Sequence, residues 1–133
     1  MEYVDEEMEP DPGLNRVTNL IIGAAIAVHS ELGAGFDENT YCNALEMEFK
    51  ARGIAYVREY PVHVMYRGAE VGVYRLDFLV ENSVVLEIKS VTEIAPIHVA
   101  QAISYLHATR FKLALIINFN VKLLKQGVKR IAC

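Results

Sequence analysis

Two acidic residues and one lysine in a short stretch of the chain have the types and spacing suited to phosphate chemistry. Asp77 precedes Glu87 with nine residues between them, and Lys89 follows Glu87 with one residue between them. Carboxylate oxygens are the ligands that Mg²⁺ takes, and an ion held by one or two carboxylates also binds substrate phosphate. A lysine beside such an ion would place positive charge where negative charge develops on the phosphate. The three residues therefore predict a magnesium site for phosphodiester hydrolysis.

A predicted β-hairpin brings these residues together. The runs 71–80 and 84–90 are strand-like and are separated by a polar triplet centred on Asn82. Alternate positions of both runs are apolar, and we expect them to share one buried face: Tyr74, Leu76, Phe78, Val80, Val84, Leu86 and Ile88. A hairpin centred on Asn82 pairs Val80 with Val84, Phe78 with Leu86 and Leu76 with Ile88.

The same register places Asp77 opposite Glu87, and Arg75 opposite Lys89, on the other face of the hairpin. Opposed side chains lie about 4.5–5.5 Å apart at Cβ, and like charges at that spacing are destabilising. Either one carboxylate is protonated, or a cation lies between them. A cross-strand salt-bridge cluster of Arg75, Asp77, Glu87 and Lys89 is the alternative without catalysis.

The other elements follow from apolar periodicity and from capping residues. We expect helices at 14–32, ending at Gly33, from an N-cap at Asp37 to Gly53, and at 96–109. Strands are expected at 54–66, bent or at a sheet edge because of Pro61, at 112–118, buried on both faces, and at 128–132. This order predicts an α/β fold with a mixed central sheet flanked by helices.

Length and charge indicate one domain with an acidic leader. A chain of 133 residues that is 53% hydrophobic can bury one core but is short for two domains. Residues 1–13 contain six acids and no base, so we expect a disordered leader there and a single domain at 14–133. Without those six acids, eleven acids face thirteen bases, so the formal charge of the expected domain is about +2.

The cysteine count and the apolar runs limit the compartment. Cys42 and Cys133 are too few for a disulfide framework or a zinc site, which favours a reducing cytoplasm. The apolar run 20–28 is too short to span a membrane, and an acidic segment precedes it where a signal peptide carries positive charge. We therefore expect a cytoplasmic protein without membrane insertion.

Basic residues are concentrated near the end of the sequence. No acid follows Glu93. With Arg75, four later residues are candidates for contacts with nucleic-acid phosphates: Arg110, Lys112, Lys122 and Lys125. Ordinary solvated surface charge is the alternative.

The chain also resembles a known nuclease family. The pattern D-x9-E-x-K at Asp77, Glu87 and Lys89 is that of the PD-(D/E)XK nuclease superfamily. Gly35, Glu38 and Tyr41 spell G-x-x-E-x-x-Y, and residues 16–131 resemble the small bacterial GxxExxY family of that superfamily. Further marks are the segment IIGAAIAVHSELGAGF with His29, the RLDF and EIK segments, and Gln101 with Tyr105, a pair similar to a motif of RecB-like nucleases. Ala34 departs from the proline expected in the family.

The resemblance implies a restriction-endonuclease-like fold and a nuclease activity. It implies that Asp77 and Glu87 bind Mg²⁺, for which Mn²⁺ can substitute, that Glu38 joins them from a helix, and that Lys89 is the catalytic lysine. The implied substrate is DNA, with RNA less favoured, and the implied products carry 5′-phosphate and 3′-hydroxyl ends.

The supporting residues have structural alternatives. Glu38 and Tyr41 are three residues apart and share a helix face, so Glu38 can reach the metal through water while Tyr41 packs beneath it. The alternative is that Glu38, in the first turn, only favours the helix dipole. Gln101 and Tyr105 share a helix face, where they orient Lys89, contact a phosphate or only join the helix to the sheet. His29 lies on a largely apolar helix, where a core histidine with a satisfied hydrogen bond is the simpler interpretation.

The leading hypothesis is a Mg²⁺-dependent nuclease that activates water for attack on the phosphodiester. The alternative is a nucleic-acid or protein-interaction module that keeps the nuclease fold without turnover. The small size motivates this alternative, because no separate recognition domain is visible. Since cutting both strands of a duplex with one site per chain requires two chains or two encounters, we also expect a homodimer.

Overall fold

The described part of the chain comprises residues 4–5 and 11–133 of a computed structural model. The disorder expected for the leader falls mainly on residues 1–3 and 6–10, which lie outside the described residues. The helices are α1 (Pro12–Leu32), α2 (Glu38–Arg52) and α3 (Pro96–Thr109), with a 3₁₀ turn at Leu124–Gly127. The strands are β1 (Val4–Asp5), β2 (Tyr56–Tyr66), β3 (Ala69–Val80), β4 (Val84–Lys89), β5 (Leu113–Asn118) and β6 (Val128–Ala132).

Helix α1 begins before the predicted start. Asp11 is its N-cap, and the carboxylate accepts hydrogen bonds from the backbone N–H of Gly13 at 2.8 Å and of Leu14 at 3.4 Å. Pro12 suits the first turn because its missing N–H needs no partner there. Pro12 and Gly13, expected in the leader, therefore belong to the helix. Upstream, β1 pairs with β6 in antiparallel fashion.

Helices α2 and α3 have the predicted bounds. The Asp37 carboxylate accepts a hydrogen bond from Thr40 N–H at 2.8 Å, and α2 ends at Gly53, whose φ of 68° suits glycine. Helix α3 begins at Pro96. In the described part of the chain, no helix is long and apolar enough to cross a membrane.

The strands form one mixed sheet in the order β1-β6-β5-β4-β3-β2. Strands β4 and β5 are parallel, and the other neighbours are antiparallel. The parallel pair is central and almost wholly buried, as the continuous apolar run of β5 predicts for that strand. Strand β2, with Pro61, is at an edge, as expected.

Helices cover both faces of the sheet. The core on one face joins α1 and α2 to the sheet through residues such as Ile21, Leu45, Phe49, Phe78 and Ile88. The core on the other face joins α3 to the sheet through Val62, Leu76, Val85, Leu106 and Ile116. Glu87 lies between Leu86 and Ile88, which belong to the first core, so strand alternation directs it toward the α3 face.

Strand β3 changes face at Asp77, which the alternation of apolar residues did not predict. Phe78 packs on the α1–α2 face as expected, whereas Leu76 packs on the α3 face. The β2–β3 pairing is interrupted at this point, where Glu59 of β2 has a φ of 57°, outside the normal strand region. The expectation that Leu76 shares the face of Phe78 and pairs with Ile88 is therefore wrong, because this bend rotates the strand.

Beyond the bend, β2 and β3 continue as a two-stranded arm, residues 60–76, here called the hairpin arm. Its turn contains Arg67 and Gly68 at φ of 50° and 81°. The arm contacts α3 and does not pair with β4. Several of its apolar side chains remain exposed, including Met65, Tyr66 and Tyr74.

Candidate active site

Asp77 and Glu87 are linked through reciprocal hydrogen bonds between side chain and backbone. Asp77 N–H donates to Glu87 Oε2 at 2.8 Å, and Ile88 N–H donates to Asp77 Oδ2 at 2.7 Å. The β3–β4 pairing ends one step earlier, at Phe78 and Leu86. The predicted pairs Val80–Val84 and Phe78–Leu86 are confirmed. Where the strands separate, each carboxylate takes the place of a backbone partner.

The two carboxylates form no ion pair among the residues from 11 onward. None of the described ion pairs involves Asp77, Glu87, Arg75 or Lys89. Arg75 instead donates a long hydrogen bond of 3.4 Å to the Glu59 carbonyl. The cross-strand salt-bridge cluster, the alternative without catalysis, is therefore not formed.

Burial makes the negative charge of the pair costly. Glu87 is 7% exposed. Burial and then the negative charge of Asp77 raise the pKa of Glu87 to about 8. Burial also raises the pKa of Asp77, whereas the hydrogen bond from Ile88 N–H and the positive charge of Lys89 lower it. A cation or a shared proton would relieve this cost.

Lys89 lies two residues after Glu87, on the same side of β4. Its backbone is fixed because it pairs with Asn118 of β5 and its carbonyl accepts a hydrogen bond from Phe119 N–H at 2.9 Å. Its positive charge lowers the pKa of both Asp77 and Glu87. The half-buried side chain makes no ion pair within the described residues. An ammonium near the pair is thus available to a substrate.

Glu38 is the first residue of α2 and is exposed. Its negative charge raises the pKa of Asp77 and of Glu87, so it lies within electrostatic range of both. In the described part of the chain, however, no three His, Cys, Asp or Glu side chains are grouped closely enough to hold a metal ion. The structure brings Asp77 and Glu87 together and leaves Glu38 outside their immediate contact.

The donor set of Asp77 and Glu87 fits a magnesium ion. One oxygen of each carboxylate bonds to a backbone amide, and no described hydrogen bond occupies Asp77 Oδ1 or Glu87 Oε1. Mg²⁺ in proteins is usually held by one or two carboxylates, with water and substrate phosphate completing its shell. Two opposed carboxylates, Glu87 buried and Asp77 half-buried, therefore satisfy this requirement without a third protein ligand.

A sequence model of the PD-(D/E)XK nuclease superfamily matches residues 15–131, nearly the whole chain. The chain belongs to the PD-(D/E)XK nuclease superfamily. Its mixed sheet flanked by helices is the restriction-endonuclease-like fold expected from the sequence.

Comparisons with individual proteins add one distant structural likeness. An alkaline exonuclease from Laribacter hongkongensis matches with 14% sequence identity and a TM-score of 0.48, covering 94% of this chain and 72% of that chain. No curated protein matches the sequence.

Tyr41 fixes the loop before α2 in this PD-(D/E)XK domain. Its hydroxyl donates to the Gly33 carbonyl at 2.6 Å and accepts from Phe36 N–H at 3.2 Å. Its ring stacks on Phe119, with centroids 4.4 Å apart. Gly35, in the same loop, has a φ of 106°, which favours glycine. The residues of the G-x-x-E-x-x-Y pattern thus hold the start of α2, where Glu38 lies.

His29 has a structural contact. Its Nε2 is 2.9 Å from the Val121 carbonyl, and its ring lies against Phe119 at 6.1 Å between centroids. No described contact joins it to Asp77, Glu87 or Lys89. His29 therefore joins α1 to the loop after β5.

Gln101 and Tyr105 face a groove between α3 and the hairpin arm. Burial, and then the negative charges of Glu87 and Asp77, raise the pKa of Tyr105 to about 12. Tyr105 is therefore close to the carboxylate pair. Gln101 is exposed and has no described hydrogen bond to Lys89.

Arg58 and Cys42 lie close to the site and were not singled out in the sequence. The positive charge of Arg58 lowers the pKa of Asp77, and its guanidinium is held by the side chains of Asn39, Asn43 and Glu46 at 2.8–3.1 Å. Burial, and then the charge of Asp77, raise the pKa of Cys42 to about 12. The only signal for Arg58 was a charged residue inside a Val/Tyr-rich strand, which also fits an exposed edge position.

The basic candidates do not form one surface. Arg110 and Lys112 precede β5, whereas Lys122 and Lys125 follow it. Because Lys89 pairs with Asn118 at the end of β5, the second pair lies at the same edge of the sheet as Lys89. Arg75 lies on a third element, the hairpin arm.

Proposed function

We propose that this protein is a metal-dependent nuclease of the GxxExxY branch that hydrolyses phosphodiester bonds of DNA, with RNA as the less favoured substrate. The observation that carries the proposal is the pair of carboxylates, Glu87 buried and Asp77 half-buried, each hydrogen-bonded to a backbone amide of the other strand, beside a lysine without an ion pair. This arrangement destabilises the free protein, which argues for a functional role beyond the fold.

Each residue has a distinct role in the proposed reaction. Asp77 and Glu87 hold Mg²⁺, or Mn²⁺ in its place, and Glu38 supports the ion through water. When bound, the ion would lower the pKa of a bound water and stabilise negative charge on the phosphate. The Lys89 ammonium contacts the phosphate oxygen on which charge develops, or the attacking water.

The proposed hydrolysis conserves every atom of substrate and water. The water oxygen forms a bond to phosphorus, and the bond from phosphorus to the 3′ oxygen breaks. One proton of the water ends on that leaving oxygen. The products carry 5′-phosphate and 3′-hydroxyl ends, as the family resemblance implies.

The test is a cleavage assay on single-stranded and duplex DNA and RNA, with EDTA, Mg²⁺ or Mn²⁺. Lys89→Ala should lower the rate by about a hundredfold or more while metal affinity stays near that of the wild type. Lys89→Arg should remain slow because a planar guanidinium does not replace a compact ammonium. Lys50→Ala removes an exposed lysine of α2 and is the matched control.

Asp77→Asn should weaken metal binding first, measured by calorimetric Mg²⁺ titration. A Lys89→Ala protein that cuts at near wild-type rate in Mg²⁺ would refute the mechanism. Absence of cleavage under every metal condition, with nucleic-acid binding retained, would instead identify a non-catalytic module.

Assembly and location are part of the same proposal. We propose a homodimer, because one site per chain cuts a duplex only with two chains or two encounters. Sedimentation velocity at micromolar concentration tests it. We also propose a cytoplasmic setting, which is supported by two cysteines in the thiol form, Cys42 and Cys133.

A further inference from the structure

A groove of about 780 Å³ separates the hairpin arm from α3. We call it the α3 groove. The lining residues that matter here are His63 and Tyr74 of the arm, Gln101, Tyr105 and His107 of α3, and Arg110. None of these residues forms part of the carboxylate pair.

Tyr105 connects the α3 groove to the surroundings of the carboxylate pair. Tyr105, which lines the groove, experiences the negative charges of Glu87 and Asp77. It also lies against Tyr74, with ring centroids 6.2 Å apart and the planes at 49°. A polymer in the groove would therefore reach the carboxylates at its Tyr105 end.

The groove presents an exposed aromatic ring with apolar neighbours. Tyr74 is 51% exposed, and Met65 and Ile97, which also line the groove, are 56% and 70% exposed. A Cβ on Gly72 would come within 3.3 Å of Tyr74 Cε2, so the glycine leaves room for the ring. Apolar surface gathered in a concavity indicates a ligand with apolar faces.

The charge of the groove suits a polyanion. Among the described residues, its lining includes Arg110, His63 and His107 and contains no aspartate or glutamate. Glu70 does not line the groove, but its Oε1 lies 2.6 Å from Nδ1 of His63. Arg110 is thus the permanent positive charge of the lining.

We propose that the α3 groove binds unpaired nucleotides of a single-stranded nucleic acid, with one base stacked on Tyr74 and the phosphate backbone near Arg110. Duplex DNA presents phosphates and hides the base faces, whereas a single strand offers faces for stacking and charge for the arginine. Because Tyr74 already contacts Tyr105, the base stacks on the solvent-facing side of Tyr74. This inference rests on the proposed nuclease function and names its substrate form.

The test is fluorescence anisotropy with the full chain in EDTA, which prevents turnover. The probes are labelled oligothymidylate of roughly 16 nucleotides, the same length built of abasic units, and a duplex. Tyr74→Ala should weaken oligothymidylate binding by about five- to a hundredfold, and Tyr74→Phe should bind like the wild type. Arg110→Ala should lower the number of counterions released on binding by about one, as measured from the salt dependence of the affinity. The decrease should be the same for oligothymidylate and for the abasic chain.

The matched control is Tyr66→Ala. Tyr66 is also exposed and lies on the same arm, but outside the groove lining. The Tyr66→Ala substitution should leave oligothymidylate binding unchanged. Gly72→Val, which displaces the Tyr74 ring, should reproduce the loss seen with Tyr74→Ala, and circular dichroism checks that each variant is folded.

The outcomes separate this inference from the proposed function. Equal loss of abasic and thymidylate binding in Tyr74→Ala, or no loss at all, overturns the stacking role even if metal-dependent cleavage is present. A change in sedimentation without a change in oligonucleotide binding also overturns it and assigns the groove to a second protein copy. Tyr74-dependent binding of single strands without cleavage in any metal supports the groove and refutes the nuclease.

Discussion

The buried carboxyl of Glu87, beside Asp77, should make the metal-free protein less stable as the pH rises. The pKa of Glu87 is raised from an ordinary 4.5 to about 8, so the folded state holds a proton that the unfolded chain releases. The contribution of Glu87 to stability is therefore fully present below pH 4.5 and is lost progressively up to about pH 8. Each pH unit in that window costs about 1.4 kcal/mol, so the total is roughly 4–5 kcal/mol.

Urea unfolding in EDTA between pH 5 and pH 8 measures this loss. Glu87→Gln keeps an oxygen that accepts from Asp77 N–H but carries no charge, so its stability should vary much less over that window. Glu93→Gln changes an exposed carboxylate and is the control. Mg²⁺ added at the higher pH should restore stability to the wild type and not to Glu87→Gln. A wild-type stability that is flat or rises over that window would refute the burial argument.

The remaining predictions concern the loop that joins α1 to α2 and the N-terminus of α1. Tyr41→Phe removes two hydrogen bonds and keeps the ring stacked on Phe119, so it should lower the free energy of unfolding by about 1–3 kcal/mol in urea titration. An unchanged midpoint would contradict the role of the hydroxyl. Asp11→Ala should cost about 1 kcal/mol through loss of the α1 cap, whereas deletion of residues 1–10 should keep cooperative unfolding, both followed by thermal melting. Loss of cooperativity after the deletion would show that the leader contributes to folding.

The helices and the central strands could be predicted because their signals are local. Proline and glycine mark the ends of α3 and α2, and the unbroken apolar run of β5 indicates burial on both faces. The face of β4 on which Glu87 and Lys89 lie could be predicted in the same way, because Leu86 and Ile88 on either side of Glu87 are both apolar. These features depend on neighbours within a few residues.

The bend at Asp77 could not be predicted, because it depends on a contact between strands. Alternation assigns faces only while the backbone stays extended, and nothing in the sequence shows that Glu59 leaves the strand region of φ and ψ. The same limit hid the reciprocal bonds of Asp77 and Glu87, in which side chains substitute for backbone partners. It also hid Arg58, whose proximity to Asp77 arises from the adjacent edge strand.

The reciprocal bonds at the end of the β3–β4 pairing make two backbone amides into spectroscopic reporters of the site. The N–H groups of Asp77 and Ile88 donate to carboxylates at 2.8 Å and 2.7 Å, so their proton and nitrogen chemical shifts respond directly to the charge on each acceptor. In a two-dimensional amide spectrum, protonation of Glu87 should move chiefly the Asp77 signal, and protonation of Asp77 chiefly the Ile88 signal. The fold thus allows the two acids to be titrated separately, by nuclear magnetic resonance, without altering either side chain.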